Sequence, residues 1–283
     1  MEIRTIHANG VEFAYLALGD GPLALCLHGF PDTAHTWRHL MPELAERGYR
    51  AVAPFMRGYA PTEVPADAAY ESGALIADVA ALHEELGGDE DAVLIGHDWG
   101  AIPVYATTDR FRRSVAMAVP PVPALRDALL DYDQLKRSFY LFLFQTGLAE
   151  VAAARPGFLE GLWRDWSPGY DASQDVAFAR ASIGEPANLA AAIGYYRAML
   201  GTVPPTGRYA SEQAAAEAGV KRPVLYLHGA ADGCLGAEVV KDALAFLPEG
   251  SRAELVAGAG HFAHLERPRE VNDLILDWIG SAP

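Results

Sequence analysis

The chain has 283 residues, of which 51% are hydrophobic and 21% charged, and its formal net charge at pH 7 is -15. This composition predicts a globular protein with a sizeable core and argues against a nucleic-acid partner, because phosphate contacts need a surplus of Lys and Arg. No stretch has the length and apolarity of a membrane span or a signal peptide, so no membrane partner is expected. The only two cysteines, Cys26 and Cys234, predict no disulfide framework and favour a cytoplasmic location.

Strands and helices are predicted to alternate in the first 120 residues. Asn9-Gly10 between two strand-like runs predicts a β-hairpin over residues 3–18. A helix capped by Asp32 or Thr33 is expected to end at Gly48. The other predicted elements are strands over 23–27, 49–55, 92–95 and 114–119 and helices over 72–86 and 101–108. This alternation indicates an α/β fold with a mostly parallel, doubly wound sheet.

The alternation stops at Pro120 and returns near residue 222. The stretch between contains no strand-like run and is rich in aromatic side chains. Strands are predicted again over 224–227 and 253–257, followed by a closing helix over 271–279, which excludes a separate C-terminal helical bundle. The simplest interpretation is an α/β core in two parts, residues 1–120 and 220–283, with residues 121–219 inserted as a helical cap.

A strand, a tight turn and a helix meet around residue 98. The apolar run 92–95 predicts a buried strand, and Gly96-His97-Asp98-Trp99-Gly100 follows it. In a nucleophile elbow such flanking glycines permit a sharp turn that exposes the central residue, here Asp98. A carboxylate is anionic at neutral pH and can attack a saturated carbon, forming an ester with the enzyme. The competing interpretation is that Asp98 only caps the following helix.

Hydrolysis of such an ester needs a base, and a base needs an acid that fixes its tautomer. Asp232 follows the strand 224–227, and His261 lies in the glycine-rich loop Gly258-Ala259-Gly260-His261-Phe262. The order Asp98, Asp232, His261 is the order of nucleophile, acid and histidine in α/β-hydrolases. We therefore expect these three side chains to form a catalytic triad.

At these motifs the chain resembles α/β-hydrolases of the epoxide hydrolase and haloalkane dehalogenase branch, and most closely the soluble epoxide hydrolases. The resemblance spans nearly the whole chain. His28-Gly29-Phe30-Pro31 is similar to the His-Gly-x-Pro motif of the oxyanion hole, and Gly260-His261 to the histidine loop. The resemblance implies an α/β-hydrolase fold with an oxyanion hole formed by the N–H groups of Phe30 and Trp99. A substrate pocket is expected near His28, Pro31, Trp163 and Phe262.

The cap decides between an epoxide and a halide. Two segments of the cap resemble those that carry the two proton-donating tyrosines of epoxide hydrolases, namely residues 138–145 and 194–197. The resemblance implies this role for Tyr140 and Tyr196. Tyr195, next to Tyr196, is the alternative for the second position. Both tyrosines could instead simply pack the cap. Phe30 replaces an asparagine common in haloalkane dehalogenases, although Trp99 with Trp163 or Trp166 could supply two indole donors to a halide.

The prediction is an epoxide hydrolase that forms a vicinal diol from a small apolar epoxide without a cofactor or metal. His35 and His39 share a helix face but lack an acidic third ligand, so a metal site is not expected there. The alternatives are a haloalkane dehalogenase with the same triad and a binding protein of this fold without turnover. A monomer or homodimer is expected, and no function is assigned to the loop 57–61.

Overall fold

The computed structural model describes residues 1–239 and 243–280. Within these ranges eight strands form one sheet in the order β1-β2-β4-β3-β5-β6-β7-β8. The strands are β1 (Ile3–Ala8), β2 (Val11–Leu18), β3 (Leu23–Leu27), β4 (Arg50–Pro54), β5 (Val93–His97), β6 (Arg113–Met117), β7 (Val224–Gly229) and β8 (Arg252–Val256). The pairs β1–β2 and β2–β4 are antiparallel and the remaining pairs parallel, which confirms the predicted α/β fold.

Helices cover both faces of this sheet, as expected for a doubly wound α/β fold. The helices are α1 (Leu40–Glu46), α2 (Ser72–Glu85), α3 (Ala101–Thr107), α4 (Val122–Ala128), α5 (Tyr132–Arg137), α6 (Phe139–Leu143), α7 (Ala149–Ala153), α8 (Phe158–Trp166), α9 (Ser173–Ile183), α10 (Pro186–Met199), α11 (Ala210–Glu217), α12 (Ala263–Glu266) and α13 (Pro268–Gly280). The central strands β3, β5 and β7 are buried along their whole length. Their continuous apolar sequences are typical of strands covered on both faces. No helix in the described ranges is both long and apolar enough to cross a bilayer.

The hairpin at the N-terminus forms as its sequence predicts. Ala8 pairs with Val11, and Asn9 and Gly10 between them have φ angles of 46° and 75°. Two consecutive positive φ angles are the signature of a type I′ turn, which Asn-Gly adopts at little cost and whose twist matches that of the strands.

The prediction of one helix from residue 33 to Gly48 is wrong in detail, because the segment is divided into two helices. A 3₁₀ segment over Ala34–Arg38 comes first, with the Thr33 side chain accepting a hydrogen bond from the His35 N–H at 3.3 Å. Helix α1 then begins at Leu40. Pro42 has no N–H to donate to the Arg38 carbonyl, so a continuous α-helix would lose a hydrogen bond at this point, whereas proline is tolerated in the first turn of a new helix.

The segment between β6 and β7 is helical, with α4 to α11 and no strand in its sequence. Three of its side chains bind the loop 57–61 of the α/β core. The Tyr195 hydroxyl donates to the Arg57 carbonyl at 2.8 Å, Asn188 to the Gly58 carbonyl at 2.8 Å and Ser182 to the Ala60 carbonyl at 2.6 Å. The loop is therefore where α9 and α10 attach to the core. The last three residues of the predicted second core part, 281–283, lie outside the described residues.

Candidate active site

The turn after β5 is as tight as its glycines predict. Asp98 has a φ of 52° and opens a 3₁₀ turn that leads into α3. A Cβ atom on Gly96 would lie 2.1 Å from the Gly100 carbonyl oxygen, and one on Gly100 would lie 2.3 Å from the Leu27 carbonyl oxygen. Only glycine fits at either position, and the turn holds an aspartate in a conformation that L-residues rarely adopt.

The Asp98 carboxylate has one oxygen fixed and one available. Its Oδ1 atom accepts a hydrogen bond from the Phe30 N–H at 2.7 Å. Gly29 makes this approach possible, because a Cβ there would lie 2.1 Å from the same oxygen. The Oδ2 atom lies 3.6 Å from Nε2 of His261. The side chain is thus oriented by the backbone after β3 and presents its second oxygen towards the histidine.

His261 and Asp232 form the close pair expected of a base and its orienting acid. The Nδ1 atom of His261 lies 2.8 Å from Oδ2 of Asp232. The other oxygen, Oδ1, accepts hydrogen bonds from the N–H groups of Cys234 and Leu235 at 2.7 and 3.0 Å. The Nε2 atom of His261 has no hydrogen-bond partner in residues 1–239 and 243–280. This nitrogen therefore faces Asp98 at the elbow without making a hydrogen bond.

The charges of the two carboxylates dominate the protonation of His261. Burial of the ring disfavours the imidazolium, but the charge and hydrogen bond of Asp232, together with the charge of Asp98, outweigh it and raise the pKa of His261 to about 10. Burial likewise opposes ionisation of Asp232, yet His261 holds the pKa of this carboxyl below its ordinary value. Before any reaction, the histidine is accordingly a cation between two anions at neutral pH.

Tyr140 on α6 and Tyr196 on α10 face each other above the elbow. Both are buried, and their ring centroids lie 5.5 Å apart. The Tyr196 hydroxyl has no hydrogen-bond partner within the described chain, whereas the Tyr140 hydroxyl lies 3.3 Å from the Cys234 thiol. Burial raises the pKa of both phenols well above its ordinary value. Each phenol is therefore protonated at neutral pH and able to donate a proton or a hydrogen bond.

A narrow cavity of about 50 Å³ joins these groups. Its polar lining comes from the four side chains Asp98, Tyr140, Tyr196 and Cys234, and the rest is apolar: Trp99, Ile102, Val119, Leu125, Leu129, Leu141, Met199 and Leu235. A larger depression of about 420 Å³ lies beside Trp166 and Gly233, but charged side chains line it and Asp98 does not. An apolar cavity with a few converging polar groups is typical of a small-molecule site, so the cavity at Asp98 is the candidate reaction site.

Four residues expected around the pocket do not line this cavity. His28 accepts a hydrogen bond from the Met56 N–H at 2.9 Å and holds the loop after β4. The Trp163 indole donates to the Pro31 carbonyl at 3.1 Å, and its ring stacks on Phe262 with centroids 3.5 Å apart. These contacts tie α8 to the loops that carry Phe30 and His261. In this structure the four residues support the walls of the site, whereas Trp99 lies on the cavity surface.

Sequence reasoning missed three contributors to the site. Cys234 lies two residues beyond Asp232, which was its only signal. Ser167 links α8 to the histidine loop, because its hydroxyl donates to Glu266 at 2.6 Å and accepts from the Phe262 N–H at 3.3 Å. Asp32 lies near His97 and His264, the first of which packs its ring against His261, and burial raises the pKa of Asp32 to about 7.

Two buried groups bring metal-ligand atoms within 4.8 Å of one another. One contains Asp232, Cys234 and His261, and the other Asp32, His97 and His264. A cation in the first group would compete with the 2.8 Å bond between His261 and Asp232. In the second group Oδ2 of Asp32 and Nδ1 of both histidines have no partner in the part of the chain that the structure describes. A proton on Asp32 satisfies one of these acceptors, which is consistent with its raised pKa.

This chain is similar to the α/β-hydrolase fold family and to several proteins named epoxide hydrolases. Residues 22–268 match the family described as the alpha/beta hydrolase fold. Epoxide hydrolase A of Mycobacterium tuberculosis is 32% identical over an alignment that covers 98% of this chain and 96% of that protein. Epoxide hydrolase 3 of Xenopus tropicalis is 31% identical over 96% of this chain and 75% of its own length. Among solved structures, an epoxide hydrolase from an endophytic Streptomyces superposes with a TM-score of 0.81 at 28% identity, covering 99% of this chain and 95% of the other.

Proposed function

Because this chain belongs to the α/β-hydrolase family, and within it to the epoxide hydrolases, we propose that Asp98 opens an epoxide ring and that His261 releases the product as a vicinal diol. One observation carries this proposal. A carboxylate oxygen at the elbow and two buried, protonated phenols line the same cavity. Ring opening needs such an arrangement, with a nucleophile at carbon and a proton donor at oxygen.

In the first step Oδ2 of Asp98 attacks a ring carbon, and the bond from that carbon to the epoxide oxygen breaks. The oxygen takes a proton from Tyr140 or Tyr196, so that a hydroxyl forms instead of an alkoxide. Oδ1 stays bound to the Phe30 N–H during the attack. That hydrogen bond fixes the direction from which Oδ2 approaches, which is the geometric requirement for a rapid displacement.

In the second step the charge balance at His261 changes. The ester at Asp98 is neutral, so one of the two carboxylates that raise the pKa of His261 has lost its charge. The pKa of the histidine falls, and the imidazolium supplies the proton that converts the phenolate back to a phenol. Neutral His261, oriented by Asp232, then takes a proton from water, which attacks the ester carbonyl. The N–H groups of Phe30 and Trp99 stabilise the oxyanion that forms. Its collapse breaks the bond from the carboxyl carbon to the product oxygen, which takes the proton left on the added hydroxyl, so that the diol leaves and the Asp98 carboxylate is restored.

Residues 121–219 act as a cap, which supplies both tyrosines and excludes bulk water from the ester. The apolar lining favours a small apolar epoxide. All steps use side chains and water, so no cofactor is invoked. A cytoplasmic location is supported by the two buried free cysteines. We propose a monomer or homodimer, without a nucleic-acid partner.

Haloalkane dehalogenation uses the same triad but needs two donors for the halide ion. Trp99 lines the cavity and can supply one. The Trp163 indole donates to the Pro31 carbonyl, and Trp166 packs its ring against His261 with centroids 5.1 Å apart. Neither lines the cavity described for Asp98. The arrangement therefore supports an epoxide over an alkyl halide.

The test is mass spectrometry of a His261→Gln variant incubated with styrene oxide. Ring opening survives this substitution and hydrolysis does not, so a stable adduct is expected on the peptide that contains Asp98. An Asp98→Asn variant is the control and forms no adduct. Parallel assays of the unmodified protein with epoxides and bromoalkanes measure diol and halide ion. Release of halide without diol identifies a dehalogenase, and saturable binding without either product identifies a binding protein.

A further inference from the structure

Cys234 lies inside the reaction cavity and contacts one of the two phenols. Its side chain is 1% exposed, and its thiol sulfur lies 3.3 Å from the Tyr140 hydroxyl oxygen. This distance is within hydrogen-bonding range for sulfur. The Tyr196 hydroxyl faces the same cavity with no partner among the residues described. The two phenols are therefore not equivalent, and the difference between them is the thiol.

The backbone around Cys234 is held from both sides. Its N–H donates to Oδ1 of Asp232 at 2.7 Å, and its carbonyl accepts from the Gln134 side chain at 2.8 Å. Gln134 is buried on α5 and also accepts from the Gly236 N–H at 3.0 Å. The loop 232–236 is thus fixed by the triad acid on one side and by the helical segment on the other. These bonds fix the backbone of Cys234, and therefore the point from which its side chain reaches Tyr140.

We propose that Cys234 is a positioning residue for ring opening, whose S–H donates to the Tyr140 oxygen and directs the phenolic O–H towards the epoxide oxygen. The proposal rests on the function proposed above. Sulfur is a weak acceptor, so the phenol loses little by turning its own proton to the substrate. When Tyr140 gives that proton to the ring oxygen, the carbon–oxygen bond breaks, the Asp98 ester forms, and the new phenolate accepts the S–H hydrogen bond.

The thiol acts here as a neutral donor and not as a nucleophile. Burial and the nearby charge of Asp232 raise the pKa of Cys234 well above its ordinary value, so the thiolate is not populated at neutral pH. A neutral thiol does not compete with Asp98 for the epoxide carbon, because the thiolate is the nucleophilic form. The same loop thus orients the hydrolytic base through Asp232 and the proton donor through Cys234.

The experiment measures how fast the Asp98 adduct with styrene oxide forms in the His261→Gln background, where hydrolysis does not obscure ring opening. Cys234→Ala is expected to slow adduct formation about fivefold, the factor that one ordinary hydrogen bond gives. Cys234→Ser restores part of the rate, because a hydroxyl also donates. Cys26→Ala is the control, since it removes the other buried thiol, which lies in β3 and contacts the Ala24 carbonyl.

The decisive comparison is a double-mutant cycle with the tyrosines. In a Tyr140→Phe background, Cys234→Ala is expected to have no further effect, whereas in a Tyr196→Phe background its effect persists or grows. A loss of equal size in the Tyr140→Phe background shows a packing role and overturns the inference. If the alanine variant folds poorly, Cys234→Val replaces it in the cycle, because valine fills the space of the thiol without a hydrogen-bond donor.

Failure of the inference and failure of the proposed function give different results. If the His261→Gln protein with Cys234 intact forms no adduct on Asp98, the proposed function fails and the inference fails with it. If that protein forms the adduct and the Cys234→Ala, Cys234→Val and Cys234→Ser variants form it at the same rate, only the role of the thiol is overturned.

Discussion

At the scale of single residues, two buried aspartates of the site differ in how many hydrogen bonds they accept. Asp232 accepts from two backbone N–H groups and from His261, which uses both of its oxygens. Asp98 accepts from the Phe30 N–H, and its second oxygen is left for the substrate. A carboxylate held by three donors is stabilised as an anion and is a poor nucleophile, which supports the proposed attack by Asp98 and the proposed orienting role of Asp232.

The raised pKa of His261 predicts a pH-dependent contribution to stability. The folded state favours the imidazolium up to about pH 10, whereas an unfolded histidine loses its proton near pH 6.5. The contribution is therefore fully present below about pH 6.5 and is lost as the pH rises towards 10. The difference in free energy of unfolding between the unmodified protein and His261→Gln is expected to shrink over this range. Denaturant titrations at several pH values measure it.

The control for this titration is His7→Gln, which changes an exposed histidine on β1. The same titrations on this variant show how much of the pH dependence comes from the loss of a histidine at an exposed position. A difference for His261→Gln that stays constant or grows with pH would contradict a protonated histidine in the free protein.

Tyr195 and Tyr196 are adjacent, and their substitution by phenylalanine should separate stability from activity. The Tyr195 hydroxyl donates to the Arg57 carbonyl, so Tyr195→Phe is expected to cost about 1 kcal/mol of unfolding free energy. The Tyr196 hydroxyl has no partner in the described chain, so Tyr196→Phe should leave stability nearly unchanged. We expect Tyr196→Phe to lower kcat/KM about 10- to 100-fold, with Tyr140 remaining as a donor. Chemical denaturation and diol formation, measured on both variants, check this; reversed effects would exchange the roles.

The resemblance to epoxide hydrolases favoured Tyr196, but helical periodicity could not separate these two tyrosines. Neighbouring residues on a helix point about 100° apart, and which of them faces the cavity depends on how α10 attaches to the core. Asp98, Asp232 and His261 were predictable as candidate site residues because each follows a strand with its own glycine signal. Cys234 was not predictable as a site residue, because a cysteine two residues after an acid indicates no role until the structure places Tyr140 beside it.

At the scale of elements, the loop 57–61 connects the core to α9 and α10, and α10 carries Tyr196. Arg57 is fully buried, and its guanidinium binds both oxygens of Asp78 on α2 at 2.6 Å. Its carbonyl accepts from Tyr195, one residue before Tyr196. The arginine thus anchors the loop in the core, while the loop's backbone holds α10. This gives a structural role to a loop whose sequence predicted none.

Removal of one partner of this buried ion pair should be strongly destabilising. Asp78→Leu leaves the guanidinium buried, with Asp67 at 3.9 Å as its nearest acid, and we expect a loss of about 3–5 kcal/mol in unfolding free energy. The double variant Arg57→Met with Asp78→Leu should recover much of it, because no unpaired charge is left. Chemical denaturation measures both. Glu84→Gln breaks the exposed pair with Arg110 and is the control, expected to cost about 0–1 kcal/mol.

Local sequence signals predicted most of the elements whose cause was local. The Asn9-Gly10 turn and the buried strands β3, β5 and β7 follow from the residues at those positions. The division before α1 depends on Pro42, whose missing N–H was a local signal that the amphipathic pattern obscured. The helical segment was predicted as helical, but not its division into α4 to α11, because packing against the core decides where such short helices end.

At the scale of the whole molecule, strand order brings distant residues to one edge. Strand β3 lies beside β5, and β7 beside β8, with β6 between the two pairs. Phe30, Asp98, Asp232 and His261 each follow one of the four strands β3, β5, β7 and β8, at the edge where parallel strands end. The alternation of strands and helices predicted a parallel sheet. Strand order is a matter of pairing between distant segments, so the approach of these four residues needed the structure.

The closure of the helical segment over this edge limits what the cavity holds. A volume of about 50 Å³ has room for only a few water molecules, well below the roughly 300 Å³ of common ligand pockets, so side chains that line the cavity have to move to admit a substrate. Met199 ends α10, lines the cavity and is 40% exposed, which places it at the mouth. Met199→Ala should therefore raise kcat/KM for trans-stilbene oxide relative to propylene oxide by about tenfold. Met1→Leu, at an exposed position outside the cavity, is the control. An unchanged ratio in the Met199→Ala protein would place the entrance elsewhere, since widening the mouth favours the bulkier epoxide only if the substrate passes this residue.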